Sequence, residues 1–407
     1  GGRAEARPPS SAPRMVHSGL RLATAALFCA TPHGAVLPNA VSHAATRPLA
    51  DLSWSPSLGV NVEGVPLQQT WTFQCGDPCK PAAGDPAPPR GHAISYITAG
   101  AEKDPPLLLI HGFGASSFHW RSNVNALAQA GNRVYAIDLL GFGSSDKPLL
   151  DYDLDVWVAQ CASFLREVVG CGEPIKGDNS TLAKRAVVAG NSIGGLTALA
   201  LAAAEPSLVR GVATLNCAGR FSPTPAERMQ AQRRKRVRDT TSPMKGFATA
   251  WSGTVDSVGA ALRRVLLGGA FVVTKQPARI SQVLRQVYPI RPERADADLV
   301  SSIQWPAKHP NAEEVFFRIV SRTSAEPLEG NQGIDVLLGK LQMPISLIWG
   351  EYDPWIRPQV ADKMQVICRK LGHPCERVSI KAGHCPQDEA PEPVNAAIAD
   401  FCSRLPP

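Results

Sequence analysis

The sequence predicts an α/β fold: a mostly parallel eight-stranded sheet, helices on both faces, and an inserted helical cap. Three observations predict it. Apolar runs of strand length alternate with amphipathic helical stretches on both sides of a long interruption. One run, 186–190, ends in a glycine-flanked serine and passes straight into a helical stretch, 193–204. The interruption, from 219 to about 335, keeps helical periodicity without the alternation, as an inserted cap would.

Residues 51–90 are irregular, and within them Trp71-Thr72-Phe73 opens the sheet before an insert from Gly76 to Arg90. The alternating stretch His92 to Thr98 supplies the second strand. A strand at 107–111, a helix at about 118–130, a strand at 133–138 and a helix at about 154–169 follow. A polar loop, 171–184, leads into strand 186–190, and strand 212–216 ends the first part. The core resumes with strand 345–349, helix 357–371, strand 376–380 and a closing helix, 391–403. The chain therefore divides into a segment at 1–50, a core in two parts (51–218 and 336–407), and a cap at 219–335 between them.

Ser192 lies at the apex of Gly190-Asn191-Ser192-Ile193-Gly194. Glycines at both ends of G-x-S-x-G leave room for a strained turn that lifts the hydroxyl clear of the backbone. The pattern alone arises by accident; its place between strand and helix gives it weight. A serine hydroxyl needs a base, and His384 follows the late strand on Ala382-Gly383-His384. Asp353 sits on the loop where the run Ile345 to Trp349 breaks, placed to orient the imidazole. The order Ser192, Asp353, His384 is that of an α/β-hydrolase triad. Taken singly, a histidine is more often a surface or core residue, and an aspartate before proline a turn former. Glu351 competes for the acid role, while Asn216 occupies another position where an acid could stand, which favours Asp353.

His111-Gly112-Phe113-Gly114 directly follows the run Pro106 to Ile110. Attack on an ester carbonyl puts negative charge on its oxygen, and backbone N–H groups aimed there lower the barrier. The amides of Phe113 and Ile193 are the candidate pair. The bland alternative is an ordinary glycine-rich turn. The cap carries Phe247, Trp251, Phe271, Tyr288, Trp305, Phe316 and Phe317, which at helical spacing mainly pack internally; some are expected to line an apolar pocket above Ser192. Trp120 and Trp355, next to the oxyanion and acid loops, are candidates for the substrate-binding wall.

The 407 residues suffice for one large domain plus an insert, and no apolar run reaches the roughly 20 residues of a membrane span. The net charge of +7 is moderate. Basic residues concentrate between Arg228 and Arg238, which reads first as a solvated helix face and second as a contact for anionic lipid headgroups. No nucleic-acid module accompanies the run. The ten cysteines follow no metal or disulfide framework, although Cys75 and Cys79 flank a loop and pair if the compartment oxidises. No metal and no cofactor is expected. The first 50 residues are rich in Ala, Arg, Ser and Pro with Glu5 their one acid, the composition of a plastid or mitochondrial transit segment. Leu20 to Ala30, counted from a start at Met15, equally serves as a secretory apolar region.

Several blocks resemble plastid and cyanobacterial α/β-hydrolases of the pheophytinase and chlorophyll dephytylase group, nearest to uncharacterised plastid members. They are His111 to Trp120, Asp138 to Asp146, Gly190 to Gly195, Val283 to Tyr288, Asp353 to Trp355 and Ala382 to Glu389. The resemblance spans roughly 92–403, cap included, with one departure: His111 stands where pheophytinase opens its oxyanion loop with proline. It implies a chloroplast protein that cleaves a hydrophobic ester by a serine acyl-enzyme route, with phytyl esters of chlorophyll pigments as a substrate class. It also implies peripheral contact with the thylakoid or envelope membrane. Epoxide hydrolases and haloalkane dehalogenases of similar architecture use an aspartate at the elbow, so Ser192 argues against both. Two alternatives stay open: a lipid acyl-ester hydrolase, and a ligand receptor on the same fold in which hydrolysis is slow.

Overall fold

Eight strands form one sheet in the order β1-β2-β4-β3-β5-β6-β7-β8. They are β1 (Gln68–Gln74), β2 (Gly91–Ala99), β3 (Pro106–Ile110), β4 (Arg133–Ile137), β5 (Ala186–Asn191), β6 (Val209–Leu215), β7 (Ile345–Gly350) and β8 (Cys375–Ile380). β1 pairs antiparallel with β2, and β2 antiparallel with β4; all other neighbours run parallel. The computed structural model describes residues 68–406 apart from 82–84, 86, 173–183, 241–273 and 325–332. The proposed targeting segment at 1–50 lies outside them.

Every residue of β3, β5 and β6 is buried, because helices cover both faces of a parallel sheet. Alternate residues therefore feed two cores. Leu108, Ile110, Val188 and Leu347 join one cluster, while Leu107, Leu109, Val187 and Ile348 join the other. Helices α1 (Val124–Gln129), α2 (Leu154–Glu167) and α3 (Ile193–Ala204) connect the first strands. Asp153 caps α2 by accepting from the Asp155 and Val156 amides, which fixes where that helix starts. The single helix expected at 118–130 is instead a tight turn, Ser117–Trp120, followed by α1. The Ser116 hydroxyl accepts from the Phe118 amide, and Asn123 N–H bonds the Trp120 carbonyl, holding the chain in short i−3 bonds before the helix begins.

Between β6 and β7 the described residues form helices: α4 (Pro225–Thr240), α5 (Pro277–Val287), α6 (Ala297–Gln304), α7 (Ala312–Ser324) and α8 (Ile334–Leu338). The basic run falls on α4, where Arg228 and Arg233 are exposed. The core closes with α9 (Gln359–Leu371), α10 (Pro386–Glu389) and α11 (Pro391–Ser403). A disulfide joins Cys75 to Cys79 after β1.

Candidate active site

The parallel strands deliver their C-terminal loops to one edge of the sheet, where α/β folds place their sites. β5 ends in the elbow. Ser192 has φ 56° and ψ −117°, a strained conformation between the strand and α3. The turn closes only because its neighbours lack side chains: a Cβ on Gly190 would strike the Gly194 carbonyl, and one on Gly194 the Ile110 carbonyl. The Ser192 hydroxyl is buried and has no hydrogen-bond partner among the described residues.

The loop after β3 passes directly over this elbow, where a Cβ on Gly112 would lie 2.9 Å from Asn191 Oδ1 and 3.3 Å from Ser192 Cβ. That proximity explains the glycine. Phe113 and Ile193 are half-buried beside the serine, and neither amide donates a hydrogen bond among the described residues. His111 braces the loop from below. Leu139 N–H donates to its Nε2 at 3.0 Å, which leaves Nδ1 to carry the proton and donate to Gly112 O at 2.7 Å. Burial holds this imidazole below its ordinary value, against the pull of Asp138 and the Gly112 bond, so it stays neutral.

His384 and Asp353 meet as expected, Nδ1 to Oδ2 at 2.8 Å, both buried. Asp353 Oδ1 accepts from the Trp355 amide at 2.7 Å and the Ile356 amide at 3.0 Å. Burial alone would push this carboxyl up; the His384 charge and the bonds from His384, Ile356 and Trp355 outweigh it and hold the carboxyl below its ordinary value. Glu351, the competing acid, is exposed on the turn. The Trp355 ring packs 4.9 Å from the imidazole, at the edge of the site.

Trp120 requires a correction. It is fully buried in the cluster with Leu107, Leu109 and Leu127, so it is core and not a wall of the site. The tight turn that replaces the expected helix directs it there. From the cap, Phe316 reaches the site, its ring 5.7 Å from that of Phe113. Tyr288 is fully buried and donates to Asp388. Phe247, Trp251 and Phe271 lie outside the described residues.

Sequence reasoning missed the residues that join these loops. Asn191 Nδ2 donates to His384 O at 2.9 Å and to Leu215 O at 3.2 Å, tying the elbow to the histidine loop. Asn216 Nδ2 donates to Asp353 Oδ2 at 2.6 Å. Buried Glu389 takes the amides of Gly383, Ile290 and Arg291, while His384 N–H donates to Val287 O, so the stem of the cap is fastened to the histidine loop. A polar residue ending an otherwise apolar strand was an available signal for Asn191; Asn216 follows β6, which itself carries Arg210 and Thr214.

His119 makes a testable contribution to acid stability. Its two ring nitrogens are buried without a partner among the described residues, and burial holds it down to about 4, with Asp388 opposing and His111, Arg121 and His384 assisting. The folded value lies below the unfolded one, so its contribution is complete above about pH 6.5 and falls by about 3 kcal/mol as the pH drops through 4. Denaturant midpoints at pH 7 and pH 4.5 for wild type and His119→Leu check this. The variant should lose much less stability on acidification, and parallel losses would refute the assignment.

The match to known proteins follows this architecture. The α/β-hydrolase fold model matches residues 105–391. Chloroplastic pheophytinase of Arabidopsis thaliana is 28% identical over 347 residues, which cover 77% of this chain and 64% of that protein, a little under two thirds of its length. The resemblance to a pheophytinase-like group therefore holds. A haloalkane dehalogenase of Mycolicibacterium paratuberculosis is 30% identical over 315 residues, covering 76% of this chain and 87% of the dehalogenase. Among solved structures, a Rhodococcus 2-hydroxy-6-oxo-6-phenylhexa-2,4-dienoate hydrolase superposes with a TM-score of 0.54 at 18% identity, covering 83% of this chain and 99% of that one; this likeness concerns fold alone. With strands β3 to β8, the elbow and the histidine loop inside the matched span, the chain belongs to the α/β-hydrolase fold family.

Proposed function

We propose that this hydrolase cleaves a carboxylic ester of a hydrophobic substrate through Ser192, His384 and Asp353. The observation that carries the reading is the bond between His384 Nδ1 and Asp353 Oδ2, in a chain whose elbow residue is serine. With Nδ1 held by the carboxylate, Nε2 is the nitrogen left to take a proton. In the first step His384 removes the Ser192 proton as Oγ adds to the ester carbonyl. The amides of Phe113 and Ile193 receive the charge that develops on oxygen. His384 then gives its proton to the leaving alcohol, the acyl-enzyme forms, and water repeats the sequence to release the acid. A serine alkoxide suits carbonyl addition. The dehalogenase and epoxide-opening chemistries rest on a carboxylate nucleophile, which position 192 does not supply.

Phytyl esters of chlorophyll pigments are the proposed substrate class, supported by the pheophytinase likeness and by the aromatic surroundings of Phe113, Phe316 and Trp355. Chloroplast placement is proposed on the low-acid, Arg-containing first 50 residues and the plastid relative. A lipid acyl-ester hydrolase is the second reading. Exposed Arg228 and Arg233 on α4 favour it, since they suit an anionic thylakoid or envelope surface from which either substrate would be drawn. The experiment offers chlorophyll, pheophytin and galactolipid in detergent and identifies the product. Phytol release is expected. Fatty acid without phytol transfers the assignment to lipids, and no turnover of any ester supports a receptor.

A further inference from the structure

The acid of the site is not held by its own loop alone. Asn216, the residue after β6, reaches across to β7 and makes two bonds with opposite polarity. Its Oδ1 accepts from Gly350 N–H at 2.9 Å, and its Nδ2 donates to Asp353 Oδ2 at 2.6 Å. The two partners settle the orientation of the amide, because a backbone N–H requires oxygen and a carboxylate requires the NH2 group. The side chain is fully buried, and its backbone stands at φ 45°, a region that asparagine tolerates better than most residues.

The consequence lies in how Asp353 is saturated. Oδ1 takes two backbone amides, and Oδ2 takes the imidazole N–H and the Asn216 amide. A carboxylate has about four acceptor sites, so Asn216 fills the one that would otherwise be open to a proton or a rotation of the group. We propose that Asn216 is a positioning residue for the reaction: held by Gly350, its amide keeps Asp353 fixed and ionised as the acceptor of His384. The role rests on the ester-hydrolase reading. The geometry also explains why position 216 carries an amide and not an acid. A carboxylate there could still accept from Gly350, but it would face Asp353 with like charge.

Other ionisable groups face the pair from each packed element. His119, from the turn after β3, acts on His384, and Cys385, from the histidine loop, on Asp353; behind Cys385 stand Asp388 and Glu389 of α10 and Tyr288 of the cap. Burial keeps His119 neutral and the Cys385 and Tyr288 protons in place at neutral pH, and Asp388 and Glu389 are engaged by arginines, Tyr288 and backbone amides. None of these donates to Asp353, so a change at 216 is read without rearranging them.

The test uses Asn216→Asp and Asn216→Gly, both compatible with a positive φ, with folding checked by thermal melting. kcat and KM for a short p-nitrophenyl ester are measured from about pH 5 to 9. KM is expected to stay within about twofold while kcat at neutral pH falls about tenfold or more. In Asn216→Asp the second carboxylate favours the charged imidazole, so the acidic limb of kcat/KM moves up by about one pH unit, and by less in the glycine variant. A limb unmoved in both folded variants overturns the proposal, whether kcat is unchanged or falls equally at every pH. The low-field proton signal of the His384 Nδ1–H provides a readout without substrate. It should shift or vanish in both variants, and an unchanged signal counts against Asn216 even if the wild type hydrolyses no ester.

Discussion

Ser192→Ala is expected to lower kcat for ester hydrolysis at least about 10⁴-fold and to abolish labelling by a fluorophosphonate probe. The magnitude follows from what the substitution removes. Alanine keeps Cβ, so the strained backbone at φ 56° and its bond from Ser192 N–H to Leu215 O are undisturbed. What is lost is the one atom that can bond to the acyl group. His384 remains on Asp353, and the amides of Phe113 and Ile193 keep their positions, so residual turnover would measure what the oxyanion site alone contributes. Substrate binding should be nearly unchanged, which distinguishes lost chemistry from lost structure. Retention of more than about 1% of activity in the alanine variant would end the serine mechanism, since removal of a triad nucleophile is far more damaging than that.

The largest expected stability effect is at Asp388. Its side chain is completely buried, yet it collects Arg121 Nε at 2.8 Å, Tyr288 Oη at 2.9 Å and Arg294 at 3.4 Å. Burial opposes the Arg121 charge, but its bonds to Asp388 and Asp296 overcome that and raise its affinity for the proton. Asp388→Asn preserves shape and removes the countercharge. Two guanidinium groups then face a neutral amide in a site with little water. Breaking one side of a buried pair typically costs 3–5 kcal/mol; because Arg121 and Arg294 keep some solvent, about 3 kcal/mol is expected, a Tm lower by about 3–5 °C for a chain of this size. A calorimetric shift below about 2 °C would show that the cluster contributes little.

The sheet was legible in the sequence wherever strands were apolar throughout. β3 and β5 are runs that water cannot reach from either face, and their bounds differ from expectation by one residue. β6 begins at Val209 and not at 212 because Arg210 lies inside it. Its buried guanidinium is paid for by the Leu405 and Pro406 carbonyls, partners almost 200 positions away that no local pattern reveals. The placement of Ser192 and Asp353 was legible for a related reason, because each sits where a buried run breaks beside a glycine; His384 follows Gly383 after β8, a partly buried strand that carries Glu376 and Arg377. Trp120 was misplaced because nearness in sequence says nothing about side-chain direction once a helix becomes a tight turn. Asn216 was read as a missing acid. Its real partner is 137 residues away, and only the fold brings the two together.

The bonds between the cap stem and the histidine loop, His384 N–H to Val287 O and Glu389 to the Ile290 and Arg291 amides, bear on attempts to engineer new specificity. A cap grafted from a relative would arrive without the carbonyl and amides to which the histidine loop is bonded. Such a chimera should therefore exchange both segments as one module, the donor's 382–389 counterpart travelling with its cap.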